Sequence, residues 1–254
     1  MLDSTITGGA TSASAPVTSL NSADPAEAVI LTDASAAYLV FRLTAAQAVK
    51  VLAALYVGAE AATPTTWRWR GASTEAGLTT TPGYDSGTVA FASGQAGLPH
   101  RSLGVHDWLI LSSAQTYQWW RVDFDTACSV GNVIIAPGFF PAYGAVYGAE
   151  MPSLVDDSPK RRGASGFVDT LLRPGYDRAS FTLQFLSPAE ALRTSRDIDE
   201  AVGAHKPVFV VMDLEETTYK QEISIYGLLD KSSATVCFNY NFYSRNYVVS
   251  ELTP

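Results

Sequence analysis

The chain has 254 residues, 47 % of them hydrophobic and only 17 % charged, with a formal net charge of −8. That is enough length and apolar content for one large or two medium domains, each with a core of its own. The charge divides as 6 basic and 10 acidic residues in 1–140 and 11 and 15 in 141–254, with no polybasic run, which argues against sequence-specific nucleic-acid binding.

A surface rich in Ala, Ser, Thr and Gly suits a subunit largely covered by neighbours. It suits an uncharged soluble domain equally well. Cys128 and Cys237 stand far apart with no CxxC pair, so synthesis in a reducing cytosol is expected. Residues 1–9 lack the basic start and apolar run of a secretion signal. The longest apolar stretch, 45–62, is broken by Gln47, Lys50, Gly58 and Glu60 and is too polar to cross a membrane as a helix.

In chain order, residues 3–37 are Ala/Ser/Thr-rich and read as an extended arm or slow loop. Residues 38–43 read as a strand. Residues 45–56 are open to two readings: their Ala content favours a helix, while 49–57 reads equally as a buried strand, preferred because the next elements are strands too. In Thr66-Trp67-Arg68-Trp69-Arg70-Gly71 the two Trp fall on one face and the two Arg on the other. One reading is an aromatic platform with basic neighbours for a sugar or nucleotide. The other, favoured because aromatics dominate sandwich cores, is a strand with two core Trp and two solvated Arg. A Gly/Thr/Ser-rich loop region follows from 72 to 104, with a turn at Pro82-Gly83-Tyr84-Asp85-Ser86-Gly87. Order resumes at Asp107-Trp108. In Trp119-Trp120-Arg121-Val122-Asp123-Phe124-Asp125, Trp120, Val122 and Phe124 alternate with charged residues, the period of a half-buried strand. A turn at 129–132 and a buried strand at 133–136 close this half.

The order of these segments in residues 20–140 resembles galactose-binding-like (discoidin-type) jelly-rolls, in a version similar to that of long-tailed phage tail proteins. It rests on Asn21-Ser22-Ala23-Asp24-Pro25, the Trp67/Trp69 strand, Asp85-Ser86-Gly87, Trp120-Arg121-Val122-Asp123, Gly131 and Pro137-Gly138. No sugar-contacting residue carries over from it.

The second half opens with a polar, turn-rich segment at 144–165. Its basic triplet Lys160, Arg161, Arg162 reads as a solvated or intersubunit loop, since Asp156 and Asp157 stand beside it. Residues 179–186 alternate as a strand with Phe181, Leu183 and Phe185 inward. Ser187-Pro188-Ala189-Glu190 is a capping box, and the helix it starts should end at Val202 with Gly203 as its cap. Ala191, Ser195, Ile198 and Val202 form its buried stripe, with Arg193, Arg196, Asp197 and Glu200 outward. Residues 206–213 read as a buried strand, 218–229 as another. Residues 235–242 read as the longest alternating strand, with Val236, Phe238, Tyr240 and Phe242 on one face. One helix among strands makes an α+β sandwich. The run of strand, Pro188–Glu190 helix, Gly203, then Pro207-Val208-Phe209 and Asp213 resembles the tail-tube-type fold of phage distal tail proteins, and implies a ring.

Catalytic chemistry is not legible. His106-Asp107 lacks a third ligand, and His100 and His205 stand alone. Gly163-Ala164-Ser165-Gly166 lacks the nucleophile-elbow spacing. Asp213, Glu215 and Glu216 read as a solvated turn, and both cysteines as inert. No enzyme, cofactor or metal is expected.

The fold expected is mainly β: an N-terminal jelly-roll β-sandwich with its arm (1–140) and a C-terminal tail-tube-like β-sandwich with one flanking α-helix (141–254). The function the resemblance implies is a structural, non-enzymatic part of a phage tail tip or baseplate. It would form a ring that joins tail tube to host-adsorption apparatus and leaves a DNA channel. Its partners would be copies of itself and the virion's tube, hub and fibre proteins, with no membrane insertion. It would lie in the virion tail after assembly in the host cytoplasm. The alternative is a carbohydrate-binding module for host surface glycans. Candidate glycan or interface contacts are Trp67, Arg68, Trp69, Arg70, Tyr84 and Trp108.

Overall fold

The computed structural model describes residues 5–59, 61–92, 104–145, 149–162, 168–171, 173, 175–230 and 234–252. The chain is mainly β, with sandwich-like sheets. It divides into two compact units, Met1–Phe140 with Glu215–Gln221 and Thr253–Pro254, and Pro141–Leu214 with Glu222–Leu252. The sequence places one boundary near residue 140. It gives no sign that Glu215–Gln221 returns to the first unit.

The strands of the first unit are β1 Thr5–Gly8, β2 Val29–Ile30, β3 Tyr38–Val57, β4 Thr66–Ala72, β5 Tyr84–Asp85, β6 Val89–Ala90, β7 Val105–Phe124, β8 Ser129–Val130 and β9 Asn132–Ala136. Seven form one sheet of order β1-β3-β7-β4-β5, with β6 on β4 and β9 on β3, while β2 pairs with β8. The stretch from 45 to 56, open to either structure by sequence, is strand throughout. Residues 44–48 of β3 and 112–114 of β7 are exposed, and the β3–β7 register breaks between Arg42 and Gln47. Small and polar residues at that point let the ribbon leave the core and bend. Leu39, Phe41 and Leu43 before the bend share one core cluster with Val49, Leu52 and Ala54 after it. The sheet therefore folds over on itself.

That core is aromatic. Trp67, Trp69 and Trp120 are fully buried. Trp67 meets Trp69 edge-on at 5.7 Å and Phe91 at 5.2 Å, the geometry the ring quadrupole favours. Gly71 is required here, because a Cβ on it would come within 2.9 Å of the Tyr117 ring and 3.1 Å of the Trp120 ring. Residues 5–37 are not a free arm. β1 pairs with β3 from Thr5 opposite Arg42 to Gly8 opposite Leu39, and Leu20, Val29 and Leu31 enter the core.

In the second unit the strands are β10 Glu150–Val155, β11 Lys160–Arg162, β12 Val168–Thr170, β13 Tyr176–Leu186, β14 Val208–Val211, β15 Ser224–Leu229, β16 Val236–Asn239 and β17 Phe242–Glu251. The main sheet has the order β10-β13-β17-β15-β14, with β16 on β17, and β11 pairs with β12. Residues 150–155 and 160–162, expected as loop, are thus strands. β14, expected buried, is a half-buried edge strand. The expected long strand over 235–242 is instead a hairpin turning at Tyr240 and Asn241, with Asn241 in the left-handed region (φ 59°). Asn tolerates that conformation better than most residues.

The helical segment begins as the capping box requires. The Ser187 N–H donates to Glu190 Oε2 (2.9 Å), and the Glu190 N–H donates to Ser187 Oγ (3.3 Å). It starts with a wide π-type turn, Glu190–Thr194, in which Ser195 Oγ donates to the Glu190 carbonyl (2.8 Å). It continues as an α-helix, Ser195–Val202, and ends at Gly203 with φ 58°. Ala191 and Ser195 are buried, Ile198 and Val202 are half-buried, and Arg193, Arg196, Asp197 and Glu200 face out. Asp199, facing neither way in the sequence reading, forms an ion pair with the buried Arg245 of β17.

Candidate functional site

The sequence-predicted aromatic contacts are not at a surface. Trp67, Trp69 and Trp108 are 2 %, 0 % and 6 % exposed, so no ring face is offered to a ligand. Strand alternation turns both β4 indoles inward, so Trp67 and Trp69 form core and not an aromatic platform, and Trp108 is no surface contact either. Tyr84 is half-buried and packs 5.9 Å from Trp120. Arg68 and Arg70 do face outward, but each is tied to its own sheet. Arg68 grips Asp85 through Nε (2.8 Å to Oδ1) and Nη2. The Arg68 hydrogen bond holds the Asp85 carboxyl down at about 2. Arg70 donates from Nη2 to Asp123 Oδ2 (2.6 Å) and from Nη1 to the Leu78 carbonyl (2.9 Å).

His106 and Asp107 do not form a catalytic pair. The His106 ring is buried edge-on against Tyr56 at 4.4 Å, and burial pushes its pKa down to about 4. Asp107 accepts from the Ala92 N–H (2.8 Å), the Trp108 N–H (2.8 Å) and Lys220 Nζ (2.5 Å). The Lys220 ammonium also lies 4.8 Å from the Trp108 ring centroid. Gln221 completes the contact: its Oε1 accepts from the His106 N–H (2.9 Å), and its Nε2 donates to the His106 carbonyl (2.6 Å). A side-chain amide thus stands in for a neighbouring strand. Sequence reasoning missed this cluster because its halves lie more than a hundred positions apart.

Among the described residues no group of three His, Cys, Asp or Glu is placed to hold a metal. No helix among them is long and apolar enough to cross a membrane. Burial pushes the Cys128 thiol up to about 12, while Cys237 is exposed. Glu216 accepts from the Thr218 N–H (2.5 Å), as expected of a turn. His100 and residues 163–166 lie outside the described residues.

One surface was not expected. On the second unit Tyr143, Phe185, Phe238 and Phe242 form an exposed aromatic cluster around Phe185, whose ring lies 5.8 Å from Tyr143, 5.4 Å from Phe238 and 5.8 Å from Phe242. Val236 flanks it, and Tyr240 at the hairpin tip is 85 % exposed. The sequence pattern placed Phe185 inward and put Val236, Phe238, Tyr240 and Phe242 on one face of a single strand. A β-bulge in β13 between Leu183 and Leu186 reverses the alternation, and Phe185 takes φ 59°. Leu186 is buried in its place. A Phe in that region costs about 1–2 kcal/mol.

No protein-family model matches the chain, and no curated protein matches it. Solved structures that resemble about half of it include three carbohydrate-binding or lectin modules. The CBM32-1 module of a family 31 glycoside hydrolase from Clostridium perfringens is 9 % identical with a TM-score of 0.39, over 52 % of this chain and 93 % of that one. Chitosan-binding module 1 of a chitosanase/glucanase from Paenibacillus sp. IK-5 is 16 % identical with a TM-score of 0.39, over 53 % and 94 %. The lectin binding domain of Lectinolysin, complexed with Lewis b, is 8 % identical with a TM-score of 0.35, over 54 % and 93 %. None of them brings a sugar-contacting residue onto this chain.

Proposed function

We propose that the chain is a non-enzymatic structural subunit of a phage tail tip, assembling with copies of itself through the second unit. The observation that carries this reading is the exposed aromatic cluster. Soluble monomers rarely expose contiguous apolar surface of this kind, and interface cores are enriched in Tyr and Phe. Backbone strain that holds a Phe outward points the same way, because strain persists where function requires it. Burial of Tyr143, Phe185, Phe238, Tyr240 and Phe242 against a neighbouring copy would offset its cost. The proposed place is the virion tail, between tube and adsorption apparatus, with tube, hub and fibre proteins as further neighbours. The phage assignment itself rests on the sequence resemblance.

Light scattering across a concentration series, followed by negative-stain imaging, tests the reading. Discrete rings or a single closed oligomer are expected, since head-to-tail contacts close into rings. A monomer at every concentration, also in the presence of the purified tube protein, would overturn it.

A further inference from the structure

The outer face of the first sheet carries an open cleft of about 700 Å³ that the sequence did not reveal. It lies between β1 and the short helix α1 (Gly77–Thr80), and Thr7, Tyr38, Val40, Glu75, Thr79 and Arg121 line it. β-Pairing builds it: Val40 stands opposite both Thr7 and Arg121, and Arg121 stands opposite Arg70. Val40 and Leu78 give it an apolar floor. The Arg121 guanidinium stacks on the Tyr38 ring at 3.7 Å. Its Nε and Nη2 both donate to Asp123 Oδ1, at 2.8 and 2.6 Å, and its Nη1 has no partner among the described residues. Asp123 also accepts from Arg70, so two guanidinium groups share one carboxylate and the cluster is left with one positive charge. Glu75 at the rim offsets that charge, so the cleft is locally neutral on a chain of net charge −8.

We propose that this cleft binds a sugar acid, a hydroxylated ring carrying a single carboxylate. The spare edge of Arg121 supplies fixed N–H donors for the carboxylate. The Thr7 and Thr79 hydroxyls supply acceptors for ring hydroxyls, and Val40 and Leu78 take an apolar ring face. An acidic peptide fits less well, because Glu75 at the rim repels a chain of several carboxylates. A ligand-detected NMR titration of the full chain with glucuronic acid, with its neutral amide and with hexaglutamate tests this. Glucuronate should bind, the amide and the R121K variant should each lose about tenfold in affinity, and E75Q should bind glucuronate more tightly. Glucuronate that fails to bind, an amide that binds equally well, or hexaglutamate that binds more tightly than glucuronate would overturn the proposal. Should R121K lose its fold in a thermal melt, E75Q decides, since the Glu75 side chain is exposed. Unchanged glucuronate affinity in E75Q would then overturn it.

Discussion

Tyr240 offers the cleanest separation of folding from assembly. At 85 % exposure its ring does almost nothing for the isolated chain. Replacing it with Ser should therefore change unfolding free energy by no more than about 0.5 kcal/mol, the usual range for surface sites. In an assembly the same ring would be covered. A Tyr side chain offers about 200 Å². If a neighbour covers half of that, burial at about 25 cal/mol per Å² contributes about 2.5 kcal/mol per contact. That converts to roughly a seventyfold change in the dissociation constant. Sedimentation velocity over a dilution series reads the association constant, and urea unfolding of dilute protein reads stability. The expected result for Y240S is an unchanged urea midpoint with association weakened by one to two orders of magnitude. Association equal to that of the unaltered chain would refute the argument that the hairpin tip is an interface residue. A large fall in the urea midpoint would refute the claim that the tip stands free of the fold.

Other expectations concern the first unit and the helix. Lys220→Met removes the cation facing Asp107, whose side chain is 3 % exposed, and should cost about 3 kcal/mol in urea unfolding because a buried carboxylate loses its counter-ion. His106 has a folded pKa of about 4, below the unfolded value near 6.5, so the unfolded chain binds more protons between them. Stability is then full above pH 6.5 and falls as pH drops toward 4, by up to about 3 kcal/mol, and His106→Gln should flatten that part of the profile measured by urea unfolding. Alkylation of the native chain with iodoacetamide should give one adduct, at Cys237, because the Cys128 thiol is buried with its pKa pushed up to about 12; a second adduct should appear only in denaturant. Ser187→Ala should cost about 1 kcal/mol by removing the capping box, read as a loss of thermal stability.

Local chemistry decided what the sequence alone could say. The capping box at Ser187 and Glu190, the Gly203 stop, the strand at Trp120, Val122 and Phe124, and the inward turn of Trp67 and Trp69 all depend on neighbours within a few positions. Periodicity and cap chemistry report such features directly. The mainly β character follows from the same signals. The features that only tertiary structure decided are non-local. One bulge between Leu183 and Leu186 reversed the face of Phe185, because strand period is two and a one-residue slip exchanges inside for outside. The alternation from Val236 to Phe242 was a true signal of an apolar face, but a turn at Tyr240 and Asn241 made that face a surface. Lys220 reached Asp107, and Arg121 came to share Asp123 with Arg70, across separations that no pattern in the chain encodes. The candidate sites are made of these long-range meetings, while the strands and caps that hold them are made of short-range ones.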